Sequence, residues 1–188
     1  MKTDKFILIL LFATAVSFIS CTNGTPKEDT SGAAAAAKER ASVVENNKIT
    51  AQKLTDAFSN GAFDSLANYL KVDFVEHQPN PPGITTNGIQ AIKDAYNFYH
   101  TAFPDMKMVA TSMIAEGDVV VVHINVKGTN SGAMGTMPAT NKAVDLNGVD
   151  IYRFADGKVI EHWGYFEEGK MMQQLGMMDG PKADAKKK

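Results

Sequence analysis

Cysteine is nearly absent. Cys21 is the only one in 188 residues, so no disulfide can form within the chain and its placement needs another reason. Tryptophan also occurs once, at Trp163. Basic runs are missing apart from Lys186 to Lys188, and the net charge is −2. That excludes the basic stripe a nucleic-acid surface needs, so nucleic acid is not an expected partner. Long apolar runs are scarce too. The main one, Phe6 to Ile19, is too short for a comfortable membrane span, and Lys2 and Lys5 before it give it the form of a secretory signal.

What is present at the end of that run is informative. Phe18-Ile19-Ser20-Cys21 resembles a bacterial lipobox, in which a small residue precedes the cysteine that receives lipid. Residues 1–20 read as a lipoprotein signal peptide and Cys21 as the lipidation site. Several acyl chains, at about 0.8 kcal/mol per buried CH₂, would hold the protein on a membrane. Residues 21–42 mix Thr, Asn, Gly, Pro, charge and the run Ala33 to Ala37 without an apolar face, and read as a flexible tether. Lys27-Glu28-Asp29 resembles the acidic export signals of some Gram-negative surface lipoproteins. The expected address is therefore a Gram-negative cell envelope, lipid-anchored at the outer membrane or cell surface. Residues 179–188 read as a disordered basic tail.

Residues 43–178 make one domain, large enough to bury roughly two-thirds of its unfolded surface. Ala51, Leu54 and Phe58 at helical spacing predict a helix over Glu45 to Asn60, stopped by Asn60-Gly61. A short helical pattern, Phe63 to Leu70, and a brief strand, Val72 to His77, follow. Gln78-Pro79-Asn80-Pro81-Pro82-Gly83 then forces a loop. Asn87 and Gln90 resemble a capping pair opening a helix that carries Ile89, Ile92, Tyr96, Tyr99 and Phe103 on one face.

From Met106 the period changes to two. Strands are predicted over Met106 to Ala115 and Val119 to Lys127, then over Ala143 to Phe154 and Lys158 to Phe166. Gly128 to Lys142 is a long loop, expected to be a lid or pocket rim, and Met134 and Met137 give it adaptable apolar contacts. Alternation places Val144, Leu146, Gly148, Asp150 and Tyr152 on one face of the third strand of this series. It places Ile160, His162, Gly164 and Phe166 on one face of the fourth. Asp150 and His162 thus both face inward. A last helix, Lys170 to Leu175, closes at Gly176. Helices followed by four long strands indicate an α+β fold, a curved antiparallel sheet with helices enclosing a pocket.

An ordered series carries a family resemblance: Phe74-Val75-Glu76-His77-Gln78-Pro79, Ala102-Phe103-Pro104-Asp105, Ala115-Glu116-Gly117-Asp118, Gly128-Thr129, Met137-Pro138-Ala139-Thr140, Asp156-Gly157-Lys158 with Glu161-His162-Trp163, and Gln174-Leu175-Gly176. It resembles the SnoaL-like polyketide cyclase (ester cyclase) family over about Ala51 to Gly176. The resemblance implies a nuclear transport factor 2-like cone and a homodimer. It also implies an acid/base reaction on a small carbonyl-containing substrate, with no metal or organic cofactor. No two of His77, His100, His123 and His162 stand at a metal-ligand spacing. In the cyclases the essential aspartate lies two residues after the strand histidine, and that position here is Gly164. The family's other histidine position matches Asp150. The resemblance therefore leaves Asp150 and His162 as the catalytic candidates, with Glu167 matching a further family acid. His77, Tyr96, Tyr99, Phe103 and Glu167 are expected to line the pocket. Three classes fit: a cofactor-free cyclase- or isomerase-like enzyme, a surface lipoprotein binding a small apolar or carbonyl-bearing molecule, and a dimeric interaction module using the face around Trp163.

Overall fold

The computed structural model describes residues 30–178; the expected signal peptide, Cys21 and the basic tail lie outside the described residues. The elements run α1 (Thr30–Asn60), a 3₁₀ helix (Phe63–Asn68), β1 (Leu70–Glu76), α2 (Gly88–Ala102), β2 (Lys107–Glu116), β3 (Val119–Thr129), β4 (Ala143–Ala155), β5 (Lys158–Phe166) and α3 (Glu168–Leu175). No described helix is long and apolar enough to cross a membrane.

Helix α1 starts fifteen residues before the predicted Glu45, inside the stretch read as a flexible tether. Residues Ser31 to Ser42 are helical yet exposed. The alanine run costs little to keep helical once the packed half of α1 has overcome nucleation. That packed half buries Ala51, Leu54 and Phe58 as their spacing predicts. Gly61, at φ +69, ends the helix: Ala62 N–H donates to the Ala57 carbonyl at 2.9 Å and Gly61 N–H to the Phe58 carbonyl at 3.4 Å. This pair satisfies two carbonyls the helix end would otherwise orphan. Asn87 does precede α2, but its side chain makes no capping bond, and Gln90 instead donates to Asp94 at 2.8 Å.

The sheet order is β1-β5-β4-β3-β2. Three pairings are antiparallel, as expected, but β1 pairs with β5 in parallel, so the curved sheet is mixed. The long excursion through α2 lets the two edges of the sheet be filled from opposite directions. Tight hairpins join β2 to β3 and β4 to β5. Gly117 takes positive φ in the first, and Asp156 and Gly157 both do in the second. All helices pack on one side: α1 on β2 and β3, α2 on β1, α3 on β4. Between them lies the core, with Val120, Val122 and Ile124 from β3 and Leu146, Tyr152 and Phe154 from β4.

Two corrections concern what faces the interior. Val159 pairs with Phe154 while Glu161 pairs with Arg153, which leaves Ile160 as an extra residue in β5. This bulge changes the phase of the strand, so Val159 rather than Ile160 is buried, and His162 still points inward. The loop from Gly128 to Lys142 is clamped onto the end of α2; it meets the cavity at Gly128, while Met134 and Met137 pack into the core. Buried Asn130 donates to the carbonyls of Ala102 (3.2 Å) and Gly132 (2.9 Å) and accepts from Thr140 N–H (2.9 Å). A Cβ at residue 132 would overlap the Thr101 carbonyl, so the close approach requires glycine.

Candidate active site

Between the inner sheet face and the helices lies a cavity of about 200 Å³. Its wall is mainly apolar, built by Ile92, Tyr96, Tyr99 and Phe103 of α2 and its end, Met106, Met108 of β2 and Leu146 of β4. The Gln78 to Pro81 turn and Met171 and Met172 of α3 close its mouth. Glu76 and His162 stand side by side in this wall, and Glu168 at the start of α3 brings a second carboxylate to it near Tyr99.

Strand register brings these groups together. Glu76 is opposite His162 across the parallel pair, and Tyr152 is opposite His162 across the antiparallel pair. Asp150 faces Gly164, one diagonal step from His162. His162 Nδ1 lies 2.7 Å from Glu76 Oε2 and its Nε2 3.3 Å from Asp150 Oδ1. Tyr152 donates its hydroxyl to Asp150 Oδ2 at 3.3 Å and stacks its ring on His162 with centroids 4.9 Å apart. Gln78 N–H donates to the second Glu76 oxygen, Oε1, at 2.8 Å. The imidazole is thus held between two carboxyl groups. It is 6 % exposed, Glu76 10 % and Asp150 0 %.

Burial by itself would disfavour a charged imidazole. The hydrogen bonds to Asp150 and Glu76, with their negative charges, outweigh it and raise His162 to about 9. At neutral pH both ring nitrogens therefore carry protons and both donate. Burial, reinforced by the Asp150 and Glu76 charges, pushes the Tyr96 hydroxyl well above the ordinary phenol range. It keeps its proton as a hydrogen-bond donor. Burial also raises Tyr99, with the Glu168 charge adding to it.

The sequence candidates separate into three groups. Tyr96, Tyr99 and Phe103 line the cavity, as does His162. Asp150 meets His162 but sits behind it, outside the cavity wall. His77 and Glu167 do not reach the cavity. His77 follows Glu76 in an extended chain and so turns outward, where it stacks on Trp163 at 4.3 Å and bonds Glu161 at 2.9 Å. Arg153 covers the same indole at 5.5 Å. Glu167 is drawn to the edge of β4, accepting from Asn147 N–H and from Lys170, both at 2.8 Å. Sequence reasoning passed over Glu76 as a functional residue. The signal was its parity with Phe74: residues two apart on a strand share a face, and Phe74 is buried. Gln78, expected only within a loop at the pocket mouth and in the family series, lines the cavity itself. Among the described residues no group of His, Cys, Asp and Glu side chains is placed to hold a metal ion.

Known proteins resemble this arrangement in fold. IdmH of Streptomyces antibioticus, described as a candidate polyketide cyclase, is 26% identical and superposes with a TM-score of 0.61, covering 69% of this chain and 98% of its own. TsrD of Streptomyces laurentii is 19% identical, with a TM-score of 0.64 over 71% of this chain and 97% of its own. AclR of Streptomyces galilaeus, described as a candidate hydroxylase, is 24% identical, with a TM-score of 0.61 over 72% and 98%. No curated protein sequence matches the chain. The family model for SnoaL-like polyketide cyclases matches residues 48–175, which span every strand, the cavity and the Glu76–His162–Asp150 relay. The chain belongs to the SnoaL-like polyketide cyclase family.

Proposed function

We propose that this protein is a cofactor-free acid/base catalyst acting on a small carbonyl-bearing, largely apolar substrate. The observation that carries the reading is the Glu76 carboxylate at the wall of an apolar cavity, 2.7 Å from an imidazole that Asp150 holds from behind. Glu76 removes a proton from the carbon next to the carbonyl. The C–H electron pair moves into the new C=C bond, and charge collects on the carbonyl oxygen. The His162 cation and the Tyr96 hydroxyl stabilise that charge. Return of the proton at another carbon gives isomerisation; attack of the carbanion on a second carbonyl of the same molecule closes a ring. Asp150 is a positioning group here, and the catalytic carboxylate shifts from Asp150 to Glu76.

The test is proton exchange with ethyl benzoylacetate in deuterium oxide, followed by NMR at the carbon between its two carbonyls. The protein should accelerate exchange over buffer. Exchange at the buffer rate overturns the catalytic reading and leaves the second one, a binding protein, which is favoured by the missing side chain at Gly164.

Two further inferences rest on the same chain. A lipid on Cys21 would fasten the domain to the cell envelope, with residues 22–29 and the exposed half of α1 as spacer. Labelled palmitate should enter the protein and not a Cys21→Ser variant, and equal labelling of both would refute the anchor. A homodimer through the outer sheet face is supported by Val109, Ile114 and Tyr165, which are 56%, 73% and 60% exposed. Sedimentation at micromolar concentration should give twice the chain mass, and Ile114→Glu should reduce it to one; a monomer at the outset refutes the dimer.

A further inference from the structure

Gly164, the position where the family's cyclases carry their acid, is occupied in space by another residue. A Cβ built there would overlap Oε1 of Gln78 and lie 3.1 Å from its Cδ and 3.3 Å from His162 Cε1. The end of the Gln78 side chain therefore fills the niche that Gly164 leaves beside the imidazole ring. Its backbone is fixed there, because its N–H donates to Glu76, the carboxylate that also holds His162. The side-chain amide itself has no hydrogen-bond partner among the described residues, and Gln78 lines the cavity. Apart from the Tyr96 and Tyr99 hydroxyls and Glu168, the rest of that wall is apolar or already paired. An unpaired amide costs little while water fills the cavity, but a ligand that displaces the water must replace its bonds.

We propose that the Gln78 amide, seated in the niche over Gly164, selects the ligand by hydrogen-bonding a neutral carbonyl group beside His162. This rests on the cavity being the site of action but not on proton abstraction. A neutral amide supplies donors without charge, so it suits a ketone, ester or amide oxygen. A free carboxylate, by contrast, would meet the Glu76 and Asp150 charges. A site with such a donor rejects an analogue lacking the acceptor, because the donor is then left unpaired.

The probes are acetophenone and its near-isostere α-methylstyrene, in which a CH₂ group replaces the carbonyl oxygen. Binding of each is titrated by NMR. The unaltered protein should bind acetophenone more tightly by roughly two- to tenfold, the worth of one neutral hydrogen bond. Gln78→Leu keeps the shape, removes the amide and should bring the ratio close to one. Gly164→Ala, whose methyl displaces Gln78, should do the same. A ratio near one in the unaltered protein, or one that survives Gln78→Leu, overturns the assignment. Proton exchange on ethyl benzoylacetate is independent of this ratio, so failure of the catalytic reading and failure of the Gln78 assignment give different results.

Discussion

Glu76→Gln should lower proton exchange on ethyl benzoylacetate by about 10²- to 10⁴-fold, the usual worth of a positioned general base. Glutamine matches the carboxylate in size, and its carbonyl oxygen can still accept from the Gln78 N–H, as Oε1 does now at 2.8 Å. What it cannot do is take a proton from carbon. Its amide end can also face His162 Nδ1 only as a donor or a neutral acceptor, so the imidazole loses one of the two charges that hold it. The loss should fall mainly on the rate constant, with binding of acetophenone little changed. His77→Ala is the control. His77 adjoins Glu76 in sequence but stacks on Trp163 outside the cavity, so exchange should stay at the unaltered rate while tryptophan emission shifts. An equal fall in both variants would mean that the edge strand as a whole, and not the carboxylate, is responsible.

The largest stability effect should come from His162→Leu, which removes the one positive charge between Asp150 and Glu76. Breaking a buried ion pair leaves an uncompensated charge and costs about 3–5 kcal/mol. Asp150, with 0 % of its side chain exposed, has no access to water to offset the loss. Urea titration at neutral pH should show the deficit as a lower midpoint with an unchanged slope.

The unaltered protein should lose stability on the alkaline side. His162 is raised from 6.5 in the unfolded chain to about 9 in the fold. Its contribution is therefore fully present below pH 6.5 and is lost as the pH rises through 9. The difference corresponds to stabilisation on the order of 3 kcal/mol. A stability that is flat from pH 6 to pH 9, together with a His162→Leu variant as stable as the parent, would show that the imidazole is not the charged partner of the two acids.

Much of this was legible along the chain. The alternation of β4 predicted which residues point inward, down to Gly148 and Asp150, because a strand's period of two leaves no freedom once one face is buried. The Asp156-Gly157 turn and the Gly61 helix stop were equally local, each set by the φ angle a single residue can adopt. Tyr96, Tyr99 and Phe103 reached the cavity since the helical period carries them along one face. Where the period was interrupted, prediction failed. The bulge at Ile160 moves Val159 inward, and nothing in Lys158-Val159-Ile160-Glu161 announces an extra residue. Glu167 matches a family acid and His77 stands just before the Gln78-Pro79 loop, yet a position beside a strand end or one step past β1 is enough to turn a side chain out of the pocket.

The sequence by itself determined the family, the inward face of β4 and the meeting of Asp150 with His162, the last two because they depend on spacing within one hairpin. Only the tertiary structure decided which carboxylate reaches the cavity. Glu76 arrives from the edge of the sheet, through a parallel pairing with a residue more than eighty positions away; its parity with Phe74 turns it inward, but nothing in either segment records that the two strands are neighbours. The same holds for Gly164. Its missing side chain reads as a lost acid along the chain, and becomes a niche only when the Gln78 loop folds over it and fills the space.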